Sequence, residues 1–360
     1  HSYFMKNILY LLLFYIGAVK AQNITLLDSL THYPISAVVI ENSKGEIKGI
    51  SNDKGQVNIS NSSDIVYTSH LSYESKKLNV KNLKEKQEIL LSHKIYELPE
   101  VILSKQQPDY ILLKCYIRTY QYADSIPMYY TEGWIDFYLP KKGNKLQYNI
   151  IAIKAYENTK SKKLQVIKKS PLFMGNNGLF DFIANEHFPL DKNYSLKKKN
   201  EQQYSIVYRQ QEGAGNIEKK NNEYTCYLNA LFPKDSIRGS FAGRTNVIKH
   251  KDVYEKFPAS IDFEAINSTD FSIYRCLIDI KTTFKKDAIS LTNIFEIYPF
   301  LKEEKNKPEV KNVTLKSDFG NFFHSFNTTY FKDKQTPLQL SLPFESLLEK
   351  DLVLLPEKKK

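Results

Sequence analysis

The feature that most constrains the fold is an alternation of apolar and polar side chains at every second residue, which recurs through much of the chain after residue 22. Tyr110–Tyr122 is one of the longest such runs. Tyr116, Arg118 and Tyr120 share one parity, and Cys115 has the other. Because successive side chains of a strand point to opposite faces of a sheet, this pattern predicts strands. Long strands joined by short turns further predict antiparallel pairing, so the chain is expected to be mostly β.

The first 21 residues have the layout of a secretory leader. Met5 is the expected start, with residues 1–4 as an upstream overhang, and Lys6 supplies the positive charge before the apolar stretch Ile8–Val19. This stretch is shorter than the roughly 18 apolar residues needed to span a bilayer, which favours cleavage before Gln22 over a membrane anchor. The mature protein is therefore predicted to be exported, to the periplasm, outer membrane or cell surface, with no transmembrane span after leader removal.

The charge of the chain does not indicate a nucleic-acid partner. Its net charge is +11, and removal of the two lysines of the leader would leave +9. Proteins that recognise bases rely on the planar fork of arginine, whereas nearly all basic residues here are lysines mixed with acids. We therefore expect no nucleic-acid partner. The five arginines are Arg118, Arg209, Arg238, Arg244 and Arg275.

The three cysteines each lie in an alternating, strand-like run. Cys115, Cys226 and Cys276 are predicted to be buried small apolar residues. Export to an oxidising compartment leaves a second possibility open, namely one disulfide and one free thiol.

Residues 22–104 consist of short strand-like runs separated by turns, which is typical of a β-sandwich. The turn at residues 52–55 is the clearest of these. Its Gly55 is free to take a positive φ, and its Asp53 is expected to accept hydrogen bonds from backbone amides of the turn. Tyr73 is expected to close one end of the sandwich with its ring and to form a hydrogen bond through its hydroxyl.

The same segment contains four short motifs in a fixed order: Asp28–Val39, Gly49–Val57, His70–Tyr73 and Leu98–Leu103. With these motifs it resembles the carboxypeptidase regulatory-like domain, a transthyretin-like sandwich of exported Bacteroidota proteins that is often found ahead of TonB-dependent transporters. Ser72 and Val57 depart from the pattern, which has glycine and an aromatic residue there. The resemblance implies an accessory or interaction module without peptidase activity, and its structural motif residues are Gly49, Asp53, Gly55, Tyr73 and Glu100.

Residues 105–360 are predicted to form a larger antiparallel domain of unknown function with a few short helices. Its expected strands are residues 110–122, 129–139, 146–156, 204–210, 223–232, 239–249, 260–267, 272–284, 312–316 and 328–332. The expected sheet is strongly curved, and it is loosely similar to the half-barrel of lipoprotein carriers. Helices are expected at residues 178–187, 290–298 and 343–349, and the charged stretches 191–203 and 302–311 are expected to be surface loops.

An aromatic stripe on one strand of this region is the candidate binding site. Tyr130, Trp134 and Tyr138 share one parity, so they could stack against sugar rings or line an apolar groove. The alternative is that they are packing pairs between neighbouring strands.

The sequence contains no motif for nucleophilic, phosphate-binding or zinc chemistry. A distant pair of carboxylates stays open, with Glu132, Asp136 and Asp181 as conceivable members. The sequence therefore predicts a non-enzymatic envelope protein, without cofactor or metal, that binds a lipid, a glycan or a partner such as an outer-membrane protein. The alternatives are a hydrolase of envelope polymers and an accessory factor of outer-membrane transport.

Overall fold

The structure, a computed structural model, describes residues 22–59, 64–84, 86–94, 100–102, 108–141, 147–161, 190, 192–220, 223–241, 244–261, 266–267, 269–284, 287–311 and 340–355. The expected leader lies outside these residues. The chain divides into two compact units, one comprising the chain up to Ser43 with Ile47–His93, and the other comprising Lys44–Glu46 with the chain from Lys94 onward. Strands dominate both units, so the predicted mostly-β fold is confirmed. Among the described residues, none of the helices combines the length and apolar character that crossing a bilayer requires.

The N-terminal unit contains two sheets. In the first, β1 lies between β4, which is antiparallel to it, and β7, which is parallel. The second has the antiparallel order β3-β2-β5-β6. The strands are β1 Gln22–Asp28, β2 Val39–Asn42, β3 Ile47–Ile50, β4 Gln56–Ile59, β5 Ile65–Ser69, β6 Lys77–Asn79 and β7 Gln87–Leu91, and a 3-10 helix spans Val80–Asn82.

A single apolar core joins these two sheets. Leu26 and Ile89 of the first sheet pack with Ile40 and Val66 of the second, and all four side chains are buried. The alternating pattern of β4, in which Val57 and Ile59 are buried and the residues between are exposed, follows from this two-layer packing. The predicted N-terminal sandwich is confirmed as a two-sheet unit.

The last strand expected in the sandwich lies elsewhere. Residues 98–103 were expected to close the N-terminal module, but β8 (Glu100–Ile102) pairs in parallel with a strand of the second unit, opposite Leu301–Glu303. Three residues carry too little pattern to specify a partner strand, because any exposed edge satisfies their backbone hydrogen bonds.

The second unit is built on one large, almost wholly antiparallel sheet of thirteen described strands. Its path is β12-β13-β14-β15-β17-β18-β19-β9-β10-β11-β20, with β16 paired to β17 and β8 to β19. The remaining strands are β9 Tyr110–Ala123, β10 Ile126–Pro140, β11 Gln147–Glu157, β12 Tyr194–Asn200, β13 Gln203–Tyr208, β14 Gln211–Lys220, β15 Glu223–Asn229, β16 Ile237–Phe241, β17 Arg244–Pro258, β18 Ile273–Phe284, β19 Asp287–Lys305 and β20 Val353–Leu354. The described residues also form the helices α1 (Lys307–Val310) and α2 (Leu342–Lys350).

One face of this sheet is an apolar core that extends from β11 to β13. Ile117, Phe137 and Tyr148 are among its fully buried members. The core also includes Cys115, Cys226 and Cys276, which are buried free thiols. The predicted role of the cysteines as small apolar residues is thus confirmed, and the alternative of a disulfide is wrong.

Several local predictions for this unit differ from the structure. The helix expected at residues 290–298 is wrong, because this segment lies within β19, paired on both sides with β18 and β9. Its residues are apolar on both parities, so a short window does not distinguish a helix from a central strand. The helix expected at residues 343–349 is confirmed as α2. The helix expected at residues 178–187 and the strands expected at 312–316 and 328–332 lie outside the described residues.

Both predicted surface loops are wrong as well. Residues 194–200 form β12, an edge strand whose lysines face solvent on both sides, and residues 302–305 extend β19. A strand that buries neither face lacks alternation, which is why its sequence looks like a loop. The single strand expected at 239–249 is split by a reversal between Phe241 and Arg244. The described residues of the strand expected at 260–267 lie outside strands.

Candidate functional site

The face of the large sheet opposite its apolar core carries charged and aromatic side chains, and we call it the polar face. Its central feature is a row of residues placed side by side on seven neighbouring strands. Five members alternate in charge from one strand to the next, which places each charge between opposite charges or beside one. Across β15, β17, β18, β19, β9, β10 and β11 the row comprises Tyr227, Tyr254, Arg275, Glu296, Arg118, Glu132 and Lys154.

Tyrosine hydroxyls bind the two carboxylates of this row. Glu132 accepts hydrogen bonds from Tyr116 and from Tyr130, the latter at 2.8 Å. Glu296 accepts one from Tyr298 at 3.0 Å and lies 3.6 Å from the Nε of Arg275. These partners replace the water that each carboxylate loses on burial.

The central charges of the row are almost completely buried. Arg118 is 3% exposed and Glu132 is 4% exposed. The ring of Tyr116 lies beside the Arg118 guanidinium, which is 5.6 Å from its centroid. Burial, with the nearby Glu132 carboxylate second, raises the pKa of Tyr116, so this hydroxyl stays a proton donor. The row is therefore a buried network of charges and tyrosines in the part of the chain that the structure describes.

A more open site lies at one end of this face, around Trp134. The ring of Trp134 is partly exposed and packs at 5.2 Å between centroids against both Tyr116 and Phe300. Phe300 is 38% exposed. We call Trp134 and Phe300 the aromatic platform.

Two β-bulges flank the platform. In β19 the pairing register with β9 shifts between Pro299 and Leu301, so that Phe300 is the extra residue. In β11 the register with β10 shifts beside Trp134, and Ile151 is the extra residue. Bulges reorient side chains and are common next to functional sites. Here Phe300, the extra residue of the bulge in β19, lies with its ring against Trp134.

A row of polar side chains borders the platform. It consists of Asn149 of β11, Asp136 of β10 and Lys114 of β9, which lie side by side on these three strands. Asp136 is two residues after Trp134 on β10, and therefore on the same face of the sheet. Asp136 is partly buried, and its carboxylate accepts no hydrogen bond from the described residues; the side chain of Asn149 is likewise without a partner there. Lys114 lies 3.9 Å from Glu303. Two polar groups thus keep their hydrogen-bonding capacity beside an exposed aromatic pair.

Burial raises the pKa of Asp136, while Lys114 acts in the opposite direction and Glu303 adds to the rise. The carboxylate is thus less well stabilised in its charged form than an exposed aspartate, which is expected of a partly buried group without hydrogen-bond donors.

A second polar cluster lies on the same face, on β17, β18 and β19. His250 is bonded through Nε2 to Asp252 at 2.6 Å, and Asp252 also accepts a hydrogen bond from Tyr227 at 2.9 Å. Asp279 lies opposite His250 in the pairing register and accepts a hydrogen bond from Thr292 at 2.6 Å. The hydrogen bond to Asp252, helped by the charges of both aspartates, raises the pKa of His250. Within the described residues, no three His, Cys, Asp or Glu side chains converge in a way that could hold a metal ion.

The three residues of the predicted aromatic stripe occupy different surroundings. Trp134 belongs to the platform. Tyr130 is fully buried, and its ring contacts Phe344 of α2 at 5.1 Å. Tyr138 is 5% exposed and packs with Val310 of α1. The two tyrosines are therefore packing residues in this structure, and Tyr130 also binds Glu132.

Sequence inspection missed Phe300 and Asn149, and it named Asp136 only as one conceivable acid. The parity of β10 could have placed Asp136 between Trp134 and Tyr138 on one face. Phe300 carries no such signal, because its position depends on a bulge. Of the other conceivable acids, Glu132 belongs to the row of alternating charges described above, and Asp181 lies outside the described residues.

The motif residues of the N-terminal unit have structural contacts. Gly55 has a φ of +70°, and a Cβ there would lie 2.5 Å from the Leu26 carbonyl oxygen. A Cβ on Gly49 would lie 2.5 Å from Val57. The turn amides of Lys54 and Gln56 donate hydrogen bonds to the side chain of Asn52. Asn52 is thus the acceptor in this turn, a role that was expected of Asp53. Glu100 lies in β8 of the large sheet.

Tyr73 belongs to a buried network around Asp28. Its hydroxyl donates to Asp28 at 2.8 Å, and His93 Nε2 lies 2.6 Å from the same carboxylate oxygen. The amides of Leu30 and Thr31 donate to the other oxygen at 2.9 and 3.0 Å. Burial by itself would raise the pKa of Asp28, but these four hydrogen bonds outweigh it and hold the pKa well below its usual range.

Comparison with known proteins does not assign a function to these sites. No protein-family model matches the chain, and no curated protein matches it either.

Proposed function

We propose that the protein is an exported, non-enzymatic protein of the cell envelope that binds a ligand on the polar face of its large sheet, at the aromatic platform. The N-terminal unit is then an accessory or interaction module, in keeping with its resemblance to carboxypeptidase regulatory-like domains. The secretory leader predicted for residues 1–21 supports a location in the periplasm or at the outer membrane or cell surface.

The observation that carries this proposal is the pairing of the platform with Asp136. A partly buried carboxylate without hydrogen-bond donors is unfavourable in a free protein, and a ligand that donates to it would relieve this cost. Partly exposed aromatic rings beside a few convergent polar groups are the usual composition of a ligand site. The charge row and the Asp28 network, by contrast, already satisfy their own carboxylates.

The apolar face gives less support to a lipid ligand. Its central side chains, such as Ile117 and Phe137, are fully buried against other side chains of the same core. A lipid site would need apolar surface that is open to the acyl chain.

The test uses the fluorescence of Trp134, which is the only tryptophan of the chain and reports on the platform alone. The purified mature protein is titrated with a solubilised bacterial envelope extract, and a bound species is sought in parallel by native mass spectrometry. We expect a saturable change in fluorescence and a bound mass. If neither is seen while circular dichroism shows folded protein, the proposal is wrong.

One observation favours a second function, hydrolysis of an envelope polymer. Burial raises the pKa of Asp136, with Glu303 adding to the rise and Lys114 opposing it, and a raised pKa is the direction that the general acid of a glycosidase requires. The Asp136→Asn variant separates the two functions. Hydrolysis predicts release of new reducing ends that this variant abolishes, whereas the binding function predicts no release by either protein.

A further inference from the structure

We infer that the ligand of the aromatic platform is a neutral glycan, whose pyranose ring lies on Trp134 and Phe300 and whose hydroxyls bind Asp136 and Asn149. This inference rests on the function proposed above and names the chemical class of the ligand. It draws on the shape, the polarity and the charge of the site.

The shape and polarity fit a sugar ring. A pyranose has an apolar face of C–H groups, which packs on an aromatic ring, and a rim of hydroxyls, which need donors and acceptors at its edge. The rings of Trp134 and Phe300 are in contact, with 5.2 Å between their centroids and their planes inclined by 52°, so a sugar ring that stacks on Trp134 has Phe300 at its side. Asp136 and Asn149 stand in the next row on the same face, so the apolar surface and the hydrogen-bonding groups adjoin as a sugar ring would require.

The charge favours a neutral sugar over an acidic one. Asp136 accepts hydrogen bonds from hydroxyls but repels a carboxylate or phosphate, and Glu303 adds negative charge nearby. Lys114, the cation of this row, is already close to Glu303 at 3.9 Å. An anionic lipid headgroup or a uronic acid would therefore bind against the local charge.

The two β-bulges support a binding site at this position, because bulges reorient side chains and are common next to functional sites. A regular sheet would leave no extra residue at Phe300, the residue whose ring packs against Trp134. Gly133, directly before Trp134, permits the close approach of β11, since a Cβ there would lie 2.4 Å from the carbonyl oxygen of Ala152. The surroundings of Trp134 thus combine a bulge in β19, a bulge in β11 and a glycine in β10.

The experiment is a screen of the full mature chain on an array of neutral and acidic bacterial glycans, followed by calorimetric titration with the best-bound soluble oligosaccharide. Vesicles of phosphatidylethanolamine and phosphatidylglycerol and a uronic-acid oligomer are included as competitors of other chemistry. We expect saturable binding of neutral glycans and no binding of the vesicles or the uronic acid.

Two variants locate the site. Trp134→Leu keeps an apolar side chain but removes the flat ring, and Asp136→Ala removes the acceptor. Each should weaken binding about ten-fold or more, as expected for one stacking or charge-assisted contact. The matched control is Tyr138→Phe, on the same strand and face but buried beneath α1, which should bind as the unaltered chain does.

The two proposals can fail separately. If the envelope extract changes the fluorescence of Trp134 but no neutral glycan binds, or if acidic glycans or vesicles bind better, the glycan inference is wrong and the binding function stands. If neutral glycans bind equally well to Trp134→Leu and Asp136→Ala, the site is wrong. If neither the extract nor any glycan binds, both proposals fail.

Discussion

The two units of this protein bury charge in different ways. In the N-terminal unit, one carboxylate, Asp28, is held by two backbone amides, a tyrosine and a histidine. In the large sheet, charges of opposite sign alternate across neighbouring strands, with tyrosines bonded to the carboxylates. Asp136, on the same sheet, has the cation of Lys114 beside it but accepts no hydrogen bond from the described residues.

This difference separates structural polar groups from candidate functional ones. A buried charge that is fully hydrogen-bonded fixes the geometry of its surroundings, and removal of any partner is costly. A polar group without partners contributes nothing to the folded state and is retained more readily for a ligand. The comparison therefore predicts large losses of stability in the two networks and a loss of binding, with little loss of stability, at Asp136.

The largest effect is expected from Arg118→Met. This change leaves Glu132 and Glu296 buried without the cation between them, and the free energy of unfolding should fall by about 3–5 kcal/mol. Urea unfolding followed by Trp134 fluorescence measures it. Adding E132Q and E296Q to the same chain should recover part of the loss. Lys198→Met, on exposed β12, is the control and should leave the midpoint unchanged. An unaltered midpoint in Arg118→Met would mean that the row is not a stabilising network.

The next effect is expected from Gly55→Ala in the N-terminal unit. The substitution combines a φ of +70° with a Cβ placed 2.5 Å from the Leu26 carbonyl oxygen, and we expect a loss of about 2–4 kcal/mol. The shift should be larger by circular dichroism than by the fluorescence of Trp134, which lies in the other unit. Gly239→Ala, with no heavy atom within 4 Å of its Cβ, is the matched control and should stay within about 0.5 kcal/mol.

A smaller effect is expected from Tyr73→Phe, which removes one of the four hydrogen bonds of Asp28 and should cost about 1–3 kcal/mol. Because the pKa of Asp28 is depressed in the folded state, its contribution is present above the unfolded pKa of about 3.9 and is lost as pH falls below it. In acid titrations followed by circular dichroism, Tyr73→Phe should therefore unfold at a higher pH than the unaltered chain. Equal acid midpoints would contradict the role of this network.

The smallest effect is expected at His250, whose pKa is raised in the folded state. Its contribution is fully present below the unfolded pKa of about 6.5 and is lost as pH rises through the folded pKa. The side chain is 42% exposed, so the loss should stay below about 1 kcal/mol. Unfolding of the native chain and of His250→Gln, compared on both sides of this range, measures it. A loss of the same size in His250→Gln would exclude His250 as its source.

The two pH effects on stability have opposite signs in the two units. Acid weakens the N-terminal network, because Asp28 gains a proton that its donors exclude. Rising pH weakens the His250 cluster, because a cation between two carboxylates is lost.

Much of the fold could be predicted from the sequence wherever one face of a strand is buried. β9, β10 and β11 were predicted to within a few residues, because their alternation is long and regular. β12 and the end of β19 were missed, since an exposed edge strand and a doubly paired central strand both lack alternation. Of the site, Trp134 and Asp136 could be found by parity. Phe300 could not, because only pairing with two neighbours creates its bulge.

The sequence is enough to predict that the chain forms sheets and which side chains share a face, because the side-chain period of a strand is a local property of the backbone. Which strands are neighbours depends on tertiary packing, and so does the placement of Arg118 between Glu132 and Glu296 and of Phe300 against Trp134. These contacts join residues up to 178 positions apart. Register between distant strands is set by the packing of the whole sheet, which no short stretch of sequence encodes.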